Sequence, residues 1–144
     1  MALFMVEAVQ GAGGCIPINK EFIQRAIPHV RAAGGLLLSD EVQTAFGRMG
    51  THYWGCDMLG YKPDIMTMAK HIGNGIPLAC VATTKEIASS YKKATFTTYG
   101  GNPIAMAAGR EILKVIDEEG LQEKTRINTE YMHTGFKYLE DKFK

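Results

Sequence analysis

Hydrophobic residues form short runs along the chain, and glycine or proline separates one run from the next. Residues 3–7 and 36–40 are apolar runs that each end in a carboxylate, a pattern typical of strands buried on both faces. Between them, apolar residues recur at helical spacing from Asn19, a favourable N-cap, to Ala33, where a glycine pair follows. The order strand, helix, strand predicts a βαβ unit with a parallel pair of strands.

The rest of the pattern adds further elements to this unit. Residues 41–63 contain many glycines and are expected to be irregular. Thr83 and Glu86 have capping-box spacing, and Asn102 followed by Pro103 is a typical helix start. Strands are predicted over 64–70, 78–83 and 95–99, and helices over about 84–92, 103–118 and 121–142. The sequence therefore predicts an α/β fold with a mixed, mostly parallel sheet flanked by helices.

Composition narrows the class of protein. The chain has 144 residues, which is enough for one domain at most. Its 16 basic and 15 acidic residues nearly cancel, so nothing points to nucleic acid or an anionic membrane as a partner. The three cysteines are far apart and odd in number, which argues against a disulfide framework or a zinc site. No metal site is therefore expected. Because the chain opens directly on a core strand, we expect it to be a piece of a longer enzyme.

Ionisable residues end three of the predicted strands. Glu7 and Asp40 close the first two strands, and Lys70 closes the next, just before a glycine-containing loop. Ligands of open α/β sheets collect at the carboxyl ends of parallel strands, so these side chains are candidates for a site. A lysine amine can attack a carbonyl to form a Schiff base. Glu41, beside Asp40, is expected to be a structural partner.

A Schiff-base lysine that serves pyridoxal phosphate needs particular neighbours. It needs a carboxylate for the ring nitrogen, a polar group for the phenolic oxygen and donors for the phosphate. Asp40 supplies a carboxylate and Gln43 follows three residues later. Thr98 precedes a glycine pair and the capped helix start at Asn102. These residues have the types and positions that a pyridoxal phosphate site needs, but types and positions alone do not identify one.

Four segments together carry a resemblance to a known family. They are VEAVQG at 6–11, LSDEVQTAFGRMG at 38–50, PDIMTMAK at 63–70 with GNG at 73–75, and TYGGNP at 98–103. In this order the chain resembles the class III aminotransferases along essentially its whole length. The resemblance implies a fold type I enzyme that uses pyridoxal 5′-phosphate, with residues 1–144 forming part of its large cofactor-binding domain. The N-terminal segment and the C-terminal small domain of such enzymes would lie outside this chain.

The resemblance also assigns roles to residues around the cofactor ring. Lys70 would form the Schiff base and move the proton during catalysis. Asp40 would hold the ring nitrogen, Gln43 would contact the phenolic oxygen, and Val42 would pack under the ring face.

Two further roles concern the edges of the site. Thr98 would bind the phosphate of the cofactor in the other subunit of a homodimer or higher oligomer. Glu7 would correspond to a glutamate that gates the two substrates. The chain departs from the family pattern at Ala8, where proline is usual, and at His71, where glycine is common.

The implied activity is transamination between an amino donor and a 2-oxo acid or glyoxylate. Two alternatives stay open: a pyridoxal phosphate–dependent phospho-lyase acting on a phosphorylated amino compound, and a catalytically inactive fragment of such an enzyme. The resemblance implies a mitochondrial location, with the cytoplasm as the other choice. A plain nucleotide-binding domain lacks support, because no strand is followed by Gly-x-Gly-x-x-Gly or a Walker motif.

Overall fold

The computed structural model of the chain describes residues 2–143 and is built around one sheet. The strands in chain order are β1 (Leu3–Glu7), β2 (Val9–Gln10), β3 (Ile16–Pro17), β4 (Leu36–Asp40), β5 (Ile65–Met68) and β6 (Cys80–Thr83). The helices are α1 (Lys20–Ala32), α2 (Gly55–Leu59), α3 (Lys85–Ser90), α4 (Pro103–Glu118) and α5 (Leu121–Lys142), with a 3₁₀ turn at Lys70–Ile72.

The main sheet has the strand order β1-β4-β5-β6. Strands β1, β4 and β5 are parallel, and β6 pairs with β5 in the antiparallel direction. Glu7 aligns with Asp40, and Asp40 aligns with Thr67. The predicted mixed, mostly parallel sheet is confirmed, and its register places the two strand-end carboxylates on the same edge.

The helices begin where side-chain caps satisfy their first backbone N–H groups. Asn19 accepts a hydrogen bond from the N–H of Phe22 at 2.9 Å, and Asn102 accepts one from the N–H of Ala105 at 2.9 Å. Capping residues of this kind commonly contribute about 1 kcal/mol to stability. The predicted starts of α1 and α4 are therefore confirmed.

Two buried clusters hold the layers together. One joins the sheet to α1 and α2 through Val6, Ala8, Ile23 and Leu59. The other lies beneath the Lys70 turn and contains Ala45, Phe46, Met68 and Ile72, with Leu113 and Ile116 of α4 packed against it. The second cluster fixes the turn after β5 against the segment that follows β4.

Several sequence-based expectations are wrong in detail. Strand β1 is not buried on both faces, because Leu3 and Met5 are 43% and 63% exposed at the sheet edge. The segment 95–99 is not a strand: it is exposed and pairs with no strand among residues 2–143. Helix α3 is capped by Thr84 rather than Thr83. The region 41–63 contains the short helix α2, and β2 and β3 form a small hairpin that the pattern does not predict.

Within residues 2–143, no helix combines the length and the apolar character of a membrane-spanning segment. The same part of the chain contains no group of three or more histidine, cysteine, aspartate or glutamate side chains arranged to hold a metal ion.

Candidate active site

Asp40 stands at the carboxyl end of β4, between the ends of two parallel neighbours. Its Oδ1 accepts a hydrogen bond from the N–H of Val42 at 3.0 Å, so the side chain caps the turn that follows the strand. Asp40 and Val42 are both half-buried. The carboxylate is thus held in a defined orientation while part of it stays accessible to a ligand.

Lys70 lies just beyond β5, at the start of the 3₁₀ turn. Its backbone φ is +50°, a left-handed conformation that is unfavourable for a residue with a Cβ. Its carbonyl accepts hydrogen bonds from the N–H groups of Gly73 and Asn74 at 3.1 and 3.3 Å. The exposed Lys70 side chain donates from Nζ to Oε1 of Gln43. The structure therefore brings together two residues that the sequence assigns to one site.

Glu7 reaches the same region through the loop after β1. Its Oε2 accepts a hydrogen bond from the N–H of Gly11 at 3.1 Å. A Cβ placed on Gly11 would lie 3.7 Å from both Oε2 of Glu7 and Oε1 of Gln43. Gly11 therefore lies beside both side chains, on the edge of the sheet where Glu7 ends β1.

Glu41 forms a buried hydrogen-bond centre behind Asp40. Its side chain is fully buried and accepts four hydrogen bonds. Two come from the hydroxyls of Ser39 and Thr44, at 2.8 and 2.6 Å, and two from the backbone N–H groups of Gly55 and Cys56, both at 2.8 Å. The backbone N–H of Glu41 also donates to the carbonyl of Thr67 at 2.9 Å. Sequence reasoning gave Glu41 a structural role but could not identify these partners.

The groups around this buried carboxylate stay uncharged near neutral pH. Burial raises the pKa of the Cys56 thiol to about 12, and the nearby Glu41 carboxylate contributes. Burial likewise raises the pKa of Tyr61 to about 12. The cluster beneath Asp40 is therefore an inert support rather than a second reactive centre.

His71 links the lysine turn to the segment that follows β4. Its Nε2 lies 3.3 Å from the carbonyl oxygen of Gln43, and its Nδ1 lies 2.8 Å from Nη2 of Arg48. Burial lowers the pKa of the imidazole, and the positive charges of Arg48 and Lys70 lower it further. Sequence reasoning had singled out His71 as a departure from the family pattern but did not predict either contact.

An open cleft of about 800 Å³ lies beside this turn. Its walls come from the segment 45–48, the turn after β5, α4 and α5. Charged side chains from each of these parts line it: Arg48, Lys70, Glu111 and Lys124. Lys70 lines this cleft, whereas Glu7, Asp40, Val42 and Gln43 do not.

Thr98 lies apart from this constellation. It occupies an exposed turn over 98–101, which leads into the Asn102 cap of α4. No hydrogen bond within residues 2–143 joins Thr98 to Lys70 or Asp40. The single chain thus brings together Asp40, Val42, Gln43, Lys70 and Glu7, and leaves Thr98 facing outward.

The chain has relatives of known name. It is 48% identical to "Alanine--glyoxylate aminotransferase 2, mitochondrial" of Homo sapiens, over 99% of this chain and 28% of that protein. It is 41% identical to "Ethanolamine-phosphate phospho-lyase homolog 1" of Caenorhabditis elegans, over 99% of this chain and 31% of that protein. The chain thus spans less than a third of either relative.

Structure and family comparison agree with these similarities. The fold superposes on an S-selective transaminase from Arthrobacter sp., solved with alanine bound, with a TM-score of 0.86 and 34% identity. That match covers 97% of this chain and 30% of the transaminase. The family model described as "Aminotransferase class-III" matches residues 1–144. The chain belongs to the class III aminotransferases, a family of pyridoxal phosphate–dependent enzymes of fold type I.

Proposed function

We propose that the protein carrying this chain transfers an amino group from an amino donor to a 2-oxo acid or glyoxylate, with pyridoxal phosphate as cofactor. The observation that carries this proposal is the contact between Nζ of Lys70 and Oε1 of Gln43, on the sheet edge where Asp40 ends β4. Family membership and the 48% identity to a named alanine–glyoxylate aminotransferase support the same activity.

The residues at this edge fit the chemistry of the cofactor. Lys70 offers an exposed amine, Asp40 a carboxylate with accessible surface, and Gln43 an amide beside the amine. The bound cofactor would supply an aldehyde for amine attachment and a protonated ring that withdraws electrons from the bond being broken. Val42, half-buried next to Asp40, would provide the apolar surface under the ring.

Each side chain then has a definite task. Asp40 would hold a proton on the ring nitrogen, because a fixed carboxylate favours the charged form of a base next to it. Lys70 would offer Nζ to the aldehyde of the cofactor and would hold or pass on a proton at that atom. Gln43 orients Nζ by accepting its hydrogen bond. Lys70 also lines the cleft beside its turn, where its backbone is left-handed.

The remaining assignments extend the site beyond the sheet edge. We propose that Glu7 gates the substrates, since it lies one glycine away from Gln43. We propose that Thr98 binds the phosphate of the cofactor held by a second subunit, since it faces outward from its own chain. The chain is proposed to be part of the large domain of a homo-oligomer. A mitochondrial location is proposed because the human relative is named mitochondrial.

A phospho-lyase reaction is the second candidate. The 41% identity to a named ethanolamine-phosphate phospho-lyase homolog favours it. The same lysine, carboxylate and amide would serve both reactions. Product analysis separates them: incubation with phosphoethanolamine releases phosphate and ammonia only from a lyase, whereas a transaminase converts glyoxylate into glycine when alanine is the donor.

Borohydride reduction tests the proposed site directly. The intact protein is loaded with pyridoxal phosphate, reduced, digested and mapped, and we expect the pyridoxyl group on Lys70. A Lys70→Arg variant should lose the label and the visible absorbance, while a Lys62→Arg variant should keep both. A label on another lysine would refute the assignment. Absence of any label would favour the remaining alternative, a catalytically inactive fragment.

A further inference from the structure

We propose that His71 is a positioning residue for the reactive lysine: its imidazole holds the main chain of Gln43, whose side chain receives the Lys70 amine. The inference rests on the proposed function, because it takes Lys70 as the reactive amine. Two consecutive residues thus contact the same partner, Lys70 at the side-chain Oε1 of Gln43 and His71 at its carbonyl oxygen, 3.3 Å from Nε2. These two contacts join the turn after β5 to the segment after β4.

The partners of His71 specify its tautomer. Arg48 is always protonated and can only donate, so Nδ1 of His71 must accept the hydrogen bond of 2.8 Å from Nη2 of Arg48. The carbonyl oxygen of Gln43 can only accept, so Nε2 must carry the proton. The neutral ring satisfies both contacts at once. A doubly protonated ring would place an N–H against the guanidinium and break the bond to Arg48.

The carbonyl of Gln43 depends on this contact. Among residues 2–143 no other hydrogen-bond donor reaches it. The turn that carries Lys70 also needs external support, because φ is +50° at Lys70 and the turn's backbone hydrogen bonds are local. Strained backbone persists where surrounding contacts hold it in place. His71 supplies such a contact from within the turn itself.

The charges around His71 predict how pH acts on the contact. Arg48 approaches from the segment after β4 and Lys70 from the same turn, and Glu111 of α4 and Lys124 of α5 line the same cleft. Burial and the two nearest cations lower the pKa of His71 below its ordinary value of about 6.5. The neutral ring therefore persists at neutral pH. Under acid conditions the protonated ring loses the bond to Arg48, whereas Nε2–H still donates to the carbonyl of Gln43, a contact that by itself raises the pKa of His71.

A matched pair of variants isolates the contact to Gln43. The amide nitrogen of His71→Gln can reach the position of Nε2, so this variant can still donate to the carbonyl of Gln43. The shorter side chain of His71→Asn reaches only the position of Nδ1, so this variant loses that contact and can keep an acceptor for Arg48. Trace acetylation of the cofactor-free intact protein, followed by peptide mapping, measures the reactivity of Lys70 relative to the exposed Lys62. We expect His71→Asn to change this ratio at least fivefold at pH 7.5 and His71→Gln to keep it within twofold of wild type.

An additional variant separates the two contacts of His71. An Arg48→Met variant should keep the neutral-pH ratio, because it leaves the bond to Gln43 intact. Equal ratios in wild type, Gln and Asn would overturn the inference. The inference would also fail if His71→Gln and His71→Asn changed the ratio equally, or if Arg48→Met changed it as much as His71→Asn.

Reduction of the pyridoxal phosphate–loaded wild type separates this inference from the proposed function. If Lys70 acquires the pyridoxyl group but the two His71 variants behave alike, only the role of His71 fails. If Lys70 stays unlabelled, the proposed function fails whatever the variants show.

Discussion

Two segments with proposed cofactor contacts are held in very different ways. The residues around Asp40 lie over the fully buried Glu41, whose carboxylate accepts four hydrogen bonds. The turn over 98–101, which carries Thr98, is exposed and is connected to α4 through Asn102. Contacts within the chain therefore hold in place the residues that are proposed to contact the cofactor ring. Thr98 is left accessible to a ligand from outside the chain, as its proposed role across a subunit boundary requires.

Removing the buried carboxylate should have the largest effect on the well-held segment. Glu41→Ala leaves two hydroxyls and two backbone N–H groups without their acceptor. An unsatisfied buried polar group costs about 1–3 kcal/mol, and some of these groups will find water, so we expect a loss of about 3–5 kcal/mol. Urea unfolding of the intact protein measures the change.

Glu21→Ala is the matched control for this loss. Its carboxylate is exposed and pairs with Arg25 only at 3.9 Å, so its removal should change the free energy of unfolding by less than about 0.5 kcal/mol. Similar values for Glu41→Ala and Glu21→Ala would show that the buried network does not hold this edge of the sheet.

Asp40→Asn should affect chemistry more than binding. The amide can still accept the N–H of Val42, which Oδ1 of Asp40 accepts at 3.0 Å, so the turn should persist. It cannot supply the negative charge that would keep the ring nitrogen of the cofactor protonated. We expect turnover to fall roughly 100- to 1,000-fold, where each tenfold corresponds to about 1.4 kcal/mol, with cofactor content nearly unchanged.

Steady-state kinetics and the absorbance of bound pyridoxal phosphate measure these two quantities separately. Asp57→Asn on α2 is the control, since its carboxylate is exposed and, within residues 2–143, makes no hydrogen bond with Asp40 or Lys70. Wild-type turnover in Asp40→Asn would refute the proposed role of Asp40 towards the ring nitrogen.

The elements that the sequence predicts well are those with local determinants. Asn19 and Asn102 mark helix starts through hydrogen bonds three residues away, and the alternation of apolar runs with glycine marks β4 and β5. The short helix α2 escapes prediction because its first N–H groups depend on Glu41, far back in the chain. The segment 95–99 has the composition of a strand, but no strand among residues 2–143 is available to pair with it.

The candidate site likewise combines features with local determinants and features that depend on residues distant in the chain. The pattern places Asp40 and Lys70 near one edge of the sheet, because parallel strands end on one edge. The predicted strand over 64–70 is shorter than expected, since β5 ends at Met68 and Lys70 begins the turn beyond it. The acceptor for Lys70 and the two partners of His71 could not be predicted, since they lie 23–28 residues away in the chain and depend on how the turns face each other. The left-handed backbone of Lys70 also has no sequence signal, because the residue is not glycine.

Thr98→Ala tests the loosely held segment. The side chain is exposed, so the free energy of unfolding should change by less than about 0.5 kcal/mol. If Thr98 donates to the cofactor phosphate, its loss should weaken binding by about 1.5 kcal/mol, which is roughly tenfold. Titration of the cofactor-free intact protein with pyridoxal phosphate measures the affinity, and Thr97→Ala should leave it unchanged. Equal affinities for wild type and Thr98→Ala would remove the phosphate role.

The smallest effect is expected at Asn102, the anchor of that exposed turn. Its Oδ1 accepts the N–H of Ala105 at 2.9 Å, and its Nδ2 donates to the carbonyl of Tyr99 at 3.0 Å. Asn102→Ala removes both contacts and should destabilise the protein by about 1 kcal/mol. Asn102→Asp keeps the cap but cannot donate to Tyr99, so it should restore stability without restoring order in the turn.

Hydrogen exchange at Gly100, whose N–H donates to the carbonyl of Thr97 at 3.3 Å, reports on the turn alone. We expect exchange at Gly100 to be about as fast in Asn102→Asp as in Asn102→Ala, and faster in both than in wild type. The free energy of unfolding should instead be close to wild type in Asn102→Asp, which keeps the cap, and lower in Asn102→Ala, which loses it. Cofactor affinity in Asn102→Asp then decides how Thr98 works. A loss would mean that the turn must be ordered before a ligand arrives, and an unchanged value would mean that the ligand itself orders Thr98. Slow, wild-type exchange in Asn102→Asp would contradict the view that Asn102 anchors this segment.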